Sequence, residues 1–345
     1  MMNNDWDMRR KVQQLGSSTK AVSLPSEWIC EHGIEKGDIL RGQRDEHTGS
    51  LLLLPADHTD REIVTVVDAD TITAEMLEYI IIANYTMGRR TIRITASEEL
   101  PSAFVSSVGD LEQQLMGLGI VEQLPTRLEI RCSVAPDDFE LISLLERLWR
   151  TEALIRDNAI ESFLEAESET NGLTDNYKQQ ADKLFYLFLR LLFTTYRNPR
   201  LNSSMGLKTG FPLIGYRSVA QDLVLMTDCA VRINDFAVDC RQSTDTMIEV
   251  IEEVAVSLDE AVSDAQAVVT NPCIETSKTA HQSLAVATDT LDAAQAHLEA
   301  ERPEPLLELQ QLLSTLREIA VYASDTIEVG TNLAARDVSQ IKTES

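Results

Sequence analysis

Lysine is scarce in this chain: of its 30 basic residues eight are Lys and 22 are Arg. Bases as a class are outnumbered by 56 acids, which leaves a formal charge of −26. Such a composition suits a halophilic cytoplasm, where excess carboxylates keep a protein hydrated in strong brine. It does not exclude a polyanionic ligand, because at about 1 M salt the Debye length is only ~3 Å and repulsion is screened. Cysteine is equally thin. Cys30, Cys132, Cys229, Cys240 and Cys273 are odd in number and form no CxxC, so they read as reduced core residues of a cytosolic protein rather than disulfides or zinc ligands. The five histidines (His32, His47, His58, His281 and His297) fall in no metal spacing.

Catalytic signatures are missing too. There is no GxSxG, no GxxxxGK[ST] and no GxGxxG after a strand, so the expectation is a protein that is not an enzyme. Long apolar runs are absent. The strongest, LFYLFLRLLF at 184–193, is too short to span a bilayer and is broken by Arg190. Asp5 and Asp7 stand where a signal peptide would carry bases, which makes the expected location cytoplasmic. What remains is 345 residues, 43% of them apolar and clearly periodic: enough for two or three folded domains.

The front differs from the rest. Residues 1–55 carry seven bases and eight acids, so nearly all of the negative charge lies behind them. After a tail over 1–8, Lys11–Leu15 and Thr19–Leu24 read as two strands joined by the turn Gly16-Ser17-Ser18. Pro25 fits the first position of a short helix over SEWICEH, and Gly33 fits just past its end. Lys36-Gly37 turns the chain into a strand at Asp38–Gly42, and Asp45–Gly49 turns it again into SLLLL at 50–54. Two hairpins around one short helix bury too little apolar surface to stand alone, which calls for a homodimer with interleaved strands.

RKVQQLG-SST-KAVSLPSEW, then GIEKGD and GSLLLLP, resembles the AbrB/SpoVT swapped-hairpin DNA-binding domain, over residues 9–56. The resemblance implies two interlocked chains whose first strands and loops face DNA. Carried onto this sequence, the contacting residues are Arg9, Arg10, Lys11 and Lys20, with Arg41 and Arg44 as further contributors. Their role would be phosphate neutralisation and positioning, with an Arg reaching a base edge.

Residues 60–135 form an α/β connector: a strand at TVVDA, a helix carrying Met76, Leu77, Ile80 and Ile81, the alternating strand TIRIT, a helix over SVGDLEQQLMGLGI and a strand RLEIRCS. Arg89 and Arg90 read as solvated loop charges. From 137 onward the pattern is helical, with six helices dividing three and three over 137–240 and 241–338. Pro303 and Pro305 part the last two. QDLVLMTDCAVRI (221–233) can be laid on STLREIAVYASDT (314–326), matching Leu223 with Leu316 and Ala230 with Ala323, as a duplication would.

RSVAQDLVLMTDCAVRI, preceded by DNYKQQADKLFYLFLRLL, resembles PhoU, the phosphate-uptake regulator built from two three-helix bundles. That family binds divalent metal through a Glu-x-x-x-Asp motif. Here Val224 fills the Glu position and Val321 the second bundle's Asp position, so only Asp228 of the motif remains. A lone carboxylate makes a poor metal site, and Asp228 and Asp222 are the first candidates for a metal ligand. The fold class expected is α+β and mostly α: a swapped-hairpin domain, the connector and two tandem bundles. The order matches PhoU-type transcriptional regulators of phosphate uptake found in archaea. The alternative function is a signalling adaptor acting on a phosphate transporter's ATPase or a sensor kinase without operator binding.

Overall fold

The computed structural model describes residues 9–44, 49–55, 64–165, 171–197, 201, 211–239 and 244–336. The chain divides into two compact units, Met1–Arg61 and Glu62–Ser345. Its class is α+β and mostly helical, with small hairpins at the front.

In the first unit, β1 (Gln13–Leu15) pairs antiparallel with β2 (Thr19–Ala21), with Leu15 opposite Thr19. The intervening Gly16-Ser17-Ser18 forms the expected turn. The ladder is shorter than the 11–15 and 19–24 read from the sequence. Helix α1 (Ser26–Glu31) starts one residue after Pro25, which is the capping residue rather than the first helical one. The GIEKGD turn is held by the Asp38 carboxylate, which accepts the Glu35 N–H at 2.7 Å. β3 (Leu40–Arg44) and β4 (Leu51–Pro55) then pair antiparallel, both displaced toward the C-terminus from the expected spans. The tail 1–8 and the turn at 45–48 lie outside the described residues.

The second unit opens with a four-stranded sheet in the order β5-β6-β8-β7. β5 (Val64–Asp68) runs parallel to β6 (Thr91–Thr95), and α2 (Ala74–Thr86) makes the crossover. Thr73 starts α2, its hydroxyl accepting the Met76 N–H at 3.2 Å. The second connector helix is not where the sequence put it. Helix α3 spans Ser102–Gln114, and Leu118–Leu124 is a strand, β7, that forms a hairpin with β8 (Arg127–Cys132). Gly117, at φ +73°, makes the reversal between α3 and β7. Ile92, Ile94, Leu128 and Ile130 form the buried layer of the sheet, in one core with Leu77 and Ile81 of α2 and Phe104 and Val108 of α3.

Six long helices follow: α4 (Leu141–Glu165), α5 (Asn171–Arg197), α6 (Phe211–Asp239), α7 (Asp245–Thr270), α8 (Ile274–Glu301) and α9 (Leu306–Arg336). Helices α4, α5 and α6 pack on one another, as do α7, α8 and α9, and α6 lies along α9. The apolar stripes do this. Leu184, Phe185, Phe188, Leu191 and Leu192 of α5 are buried, as are Met247, Ile251, Val254 and Leu258 of α7. α2 and α3 rest on α5. Of the cysteines read as core, Cys132 and Cys229 are buried, but Cys30 is exposed and Cys273 is half-buried as the capping residue of α8. Cys240 lies outside the described residues. Among the described residues no helix is long and apolar enough to cross a membrane.

Candidate nucleic-acid interface

The candidate DNA-facing residues come from two segments of the first unit. Arg9, Arg10 and Lys11 lead into β1, and Lys20 sits on β2 directly opposite Gln14. Gln14 is itself tied to the turn, donating from Nε2 to the Gly16 carbonyl at 2.6 Å. Arg41 stands on the other hairpin, opposite Leu54. Arg44 ends β3, and its side chain lies outside the described residues. Arg9, Arg10, Lys11, Lys20 and Arg41 are all exposed, and none forms an ion pair among the described residues.

The second unit engages many of its cations, although Arg147, Arg150, Lys278 and Arg302 are exposed and form no ion pair among the described residues. Arg93 and Arg127 converge on Glu129 at 3.0 and 2.9 Å, with Arg131 at 3.7 Å. The hydrogen bond from Arg127, and then that from Arg93, hold the Glu129 carboxyl below its ordinary range. The alternation in TIRIT and RLEIRC carries this cluster, because every second residue of paired strands shares a face. Arg156 and Arg190 are buried and bonded, Arg232 is paired with Glu318, and Arg317 with Asp292. Arg90 is exposed, as a loop charge should be, but Arg89 is half-buried with its Nη1 enclosed and unpartnered.

Among its described residues the unit that carries these cations has no core of its own. No described side chain between 9 and 55 is buried, and Val12 and Ile39 are 63% and 72% exposed. Leu15, Val22, Leu51 and Leu52 are exposed as well. Apolar side chains gain stability by leaving water, at roughly 25 cal/mol per Å² buried. One copy of this unit gives them nowhere to go.

The two candidate metal ligands are not brought together. Asp228 of α6 accepts from Lys178 Nζ of α5 at 2.9 Å, and Lys178 also bonds Asp182. Burial works to lower the Lys178 ammonium, but these two carboxylates outweigh it and hold it above its ordinary range. An ammonium thus occupies the place a cation would take. Asp222, 8% exposed, faces α9, where Thr326 donates to it at 3.4 Å. Among the described residues no group of three His, Cys, Asp or Glu stands close enough to hold a metal ion.

Burial and then the nearby Asp325 charge push the Asp222 carboxyl up to about 6, against an ordinary 3.8. A carboxyl raised on folding stabilises fully below its unfolded value, and that contribution is lost as pH rises through the folded one. Asp222→Asn therefore stabilises the protein above pH ~6 by about 2 kcal/mol, allowing for residual hydration, with no gain at pH ~4. Urea unfolding of both forms across that window reads the difference; a gain independent of pH would show that the charge is not the cause.

No protein-family model matches the chain, and no curated protein matches it.

Proposed function

We propose that the protein is a homodimeric DNA-binding transcriptional regulator of phosphate uptake, with AbrB/SpoVT-like hairpins gripping the operator and PhoU-like helical bundles receiving the signal. The observation that carries this reading is the first unit. It sets five exposed cations that are in no described ion pair, Arg9, Arg10, Lys11, Lys20 and Arg41, beside the exposed Val12, Leu15, Val22, Ile39, Leu51 and Leu52. A second copy that interleaves its hairpins would bury the apolar set and bring the two cationic edges into one platform. Phosphate contacts then supply most of the affinity.

Support for the PhoU-like half comes from α6 and α9. Asp222 meets Thr326 while Arg232 meets Glu318, so the two helices run antiparallel. The residues matched between them, Leu223 with Leu316 and Ala230 with Ala323, are all fully buried. Duplicated helices packed about a local two-fold would look this way. A signal that alters how the two sets of helices sit would be transmitted through this contact to the DNA-binding dimer.

The test is a mobility shift with full-length protein on promoter fragments of phosphate-uptake genes, over a range of KCl. Replacing Arg9, Arg10 and Lys11 together by Ala removes six cations from a dimer. It should weaken binding at every sequence and reduce the slope of log K against log salt by about 5, taking roughly 0.9 per lost phosphate contact. If the unmodified protein shifts no such fragment, the adaptor reading replaces this one.

A further inference from the structure

Helices α4 and α7 run antiparallel, and their contact is uneven. Near the start of α4, Leu145 and Trp149 share a small cavity with Val269 of α7. Toward its end, Arg156 Nη1 reaches across to Asp259 at 2.9 Å. Beside that bond the two helices enclose an open cleft of about 450 Å³. Its floor is apolar: Ile160 and Leu164 from α4, Ala255 and Val256 from α7.

Val256 is the informative side chain. It is 66% exposed in the middle of a helix whose other face buries Val254, Leu258 and Val262 in the core. Positions 252, 255, 256 and 259 lie on one face of α7 by helical spacing, and all four line the cleft. Ala255 is itself buried, so on this face of α7 Val256 is the apolar side chain left to solvent, flanked by Glu252 and Asp259. The rim is acidic, with Asp157 and Glu161 on one side and Glu252 and Asp259 on the other. The one cation in the lining, Arg156, is already bonded to Glu152 and Asp259.

We propose that this cleft is a docking site for an amphipathic helix of a partner protein, with apolar residues along one face and Lys or Arg at its flanks. An apolar floor between two parallel ridges is the shape that takes an amphipathic helix. Asp157 and Asp259 pair with Arg156, at 3.9 and 2.9 Å, while Glu161 and Glu252 form no ion pair among the described residues. Glu161 and Glu252 therefore select a basic occupant and disfavour nucleic acid and anionic membrane. In brine, long-range steering is lost, but ion pairs at contact distance and apolar burial persist. The floor would thus supply affinity and the rim the choice of partner. Lys and Arg stems would also cover Val256 while their heads meet the rim.

The experiment follows fluorescence anisotropy of a labelled amphipathic Leu/Lys helical peptide titrated with the full-length protein, with a Leu/Glu peptide of the same pattern beside it. The expected result is saturable one-to-one binding of the Lys peptide alone. Val256→Asp, or Glu161→Lys with Glu252→Lys, should weaken it by about tenfold or more. Val286→Asp alters a valine of similar exposure, 55%, on α8 and should leave binding unchanged. These side chains are exposed, and unchanged circular dichroism spectra and melting temperatures check that the variants fold. No saturable binding, or equal loss in Val256→Asp and Val286→Asp, overturns the proposal. So does self-association of the unmodified protein that Val256→Asp abolishes, which would assign the cleft to a second copy.

Discussion

Arg156→Met lowers the stability of the protein by about 4 kcal/mol, whereas Asp259→Asn, at the other end of the same ion pair, costs less than about 1 kcal/mol. The asymmetry comes from where the charges lie. Arg156 and Glu152 are 2% and 0% exposed, and Arg156 Nε donates to Glu152 Oε1 at 2.9 Å along one helical turn. The second carboxylate oxygen, Glu152 Oε2, is buried with no partner. Burial pushes the Glu152 carboxyl up, and Arg156 pulls it back only in part. Burial likewise works against the guanidinium, but Glu152 and Asp259 outweigh it and keep it charged. Removing Arg156 strands a carboxylate in an apolar interior, where it must either protonate or open the helix contact to water. Asp259 is more than half exposed and returns to solvent at little cost. The double variant Glu152→Leu with Arg156→Met should recover most of the loss, since a buried pair gains little over apolar residues of similar volume. Urea unfolding of the unmodified protein, Glu152→Leu, Arg156→Met and the double variant closes the cycle. A single-variant loss under about 1 kcal/mol at Arg156, or no recovery in the double variant, would show that the pair is hydrated.

That network was not legible in the sequence, and the reason is general. Glu152 and Arg156 four apart on a helix describe a solvated surface pair as well as they describe a buried one. Only the approach of α7, about a hundred residues later, decides between them. Asp228 is similar: its partner Lys178 lies on another helix, so the residue that fills the cation's place could not be read from the motif. By contrast the long helices were legible, because apolar residues recur at helical spacing, and Leu184, Phe188 and Leu191 of α5 and Met247, Ile251, Val254 and Leu258 of α7 are all buried. The front turns were legible from Gly16, Pro25 and the GIEKGD string. The strand β7 was missed because LGIVEQL follows a helical run and alternates poorly. Its signal was the pair Gly117 and Gly119, too much glycine for a helix end to run through. The open face of the connector sheet, with Arg93, Arg127 and Arg131 around Glu129, was present in the two-residue period but was read only as strand polarity.

Arg190, the residue that interrupts the most apolar run of the chain, gives the second large effect. It points from α5 to the end of α2, where Nη1 donates to the carbonyls of Tyr85 and Arg89 at 2.7 and 2.9 Å. The last carbonyls of a helix lack partners within it and carry its negative end, so a cation there satisfies both needs. The guanidinium also lies 4.9 Å from the Tyr85 ring centre, and Tyr85 is fully buried, its hydroxyl donating to the Met116 carbonyl at 3.0 Å. Beside it Gly88, at φ +78°, lets the chain pass so close to α5 that a Cβ would strike the Thr194 hydroxyl. Arg190 thus fastens the connector to the helices. Arg190→Met loses both hydrogen bonds, leaving the Arg89 carbonyl without this donor and the Tyr85 carbonyl with only the Gly88 N–H. The expected loss is about 3 kcal/mol, and Arg190→Lys, which keeps the charge, should lose about half as much. Because the site is dry, strong salt should change these values little. Hydrogen exchange separates this account from a general loss of packing. Amides of α2 should lose protection in Arg190→Met at denaturant concentrations where α7, α8 and α9 remain protected. A uniform loss across all helices would mean that Arg190 contributes to the core without fastening the connector.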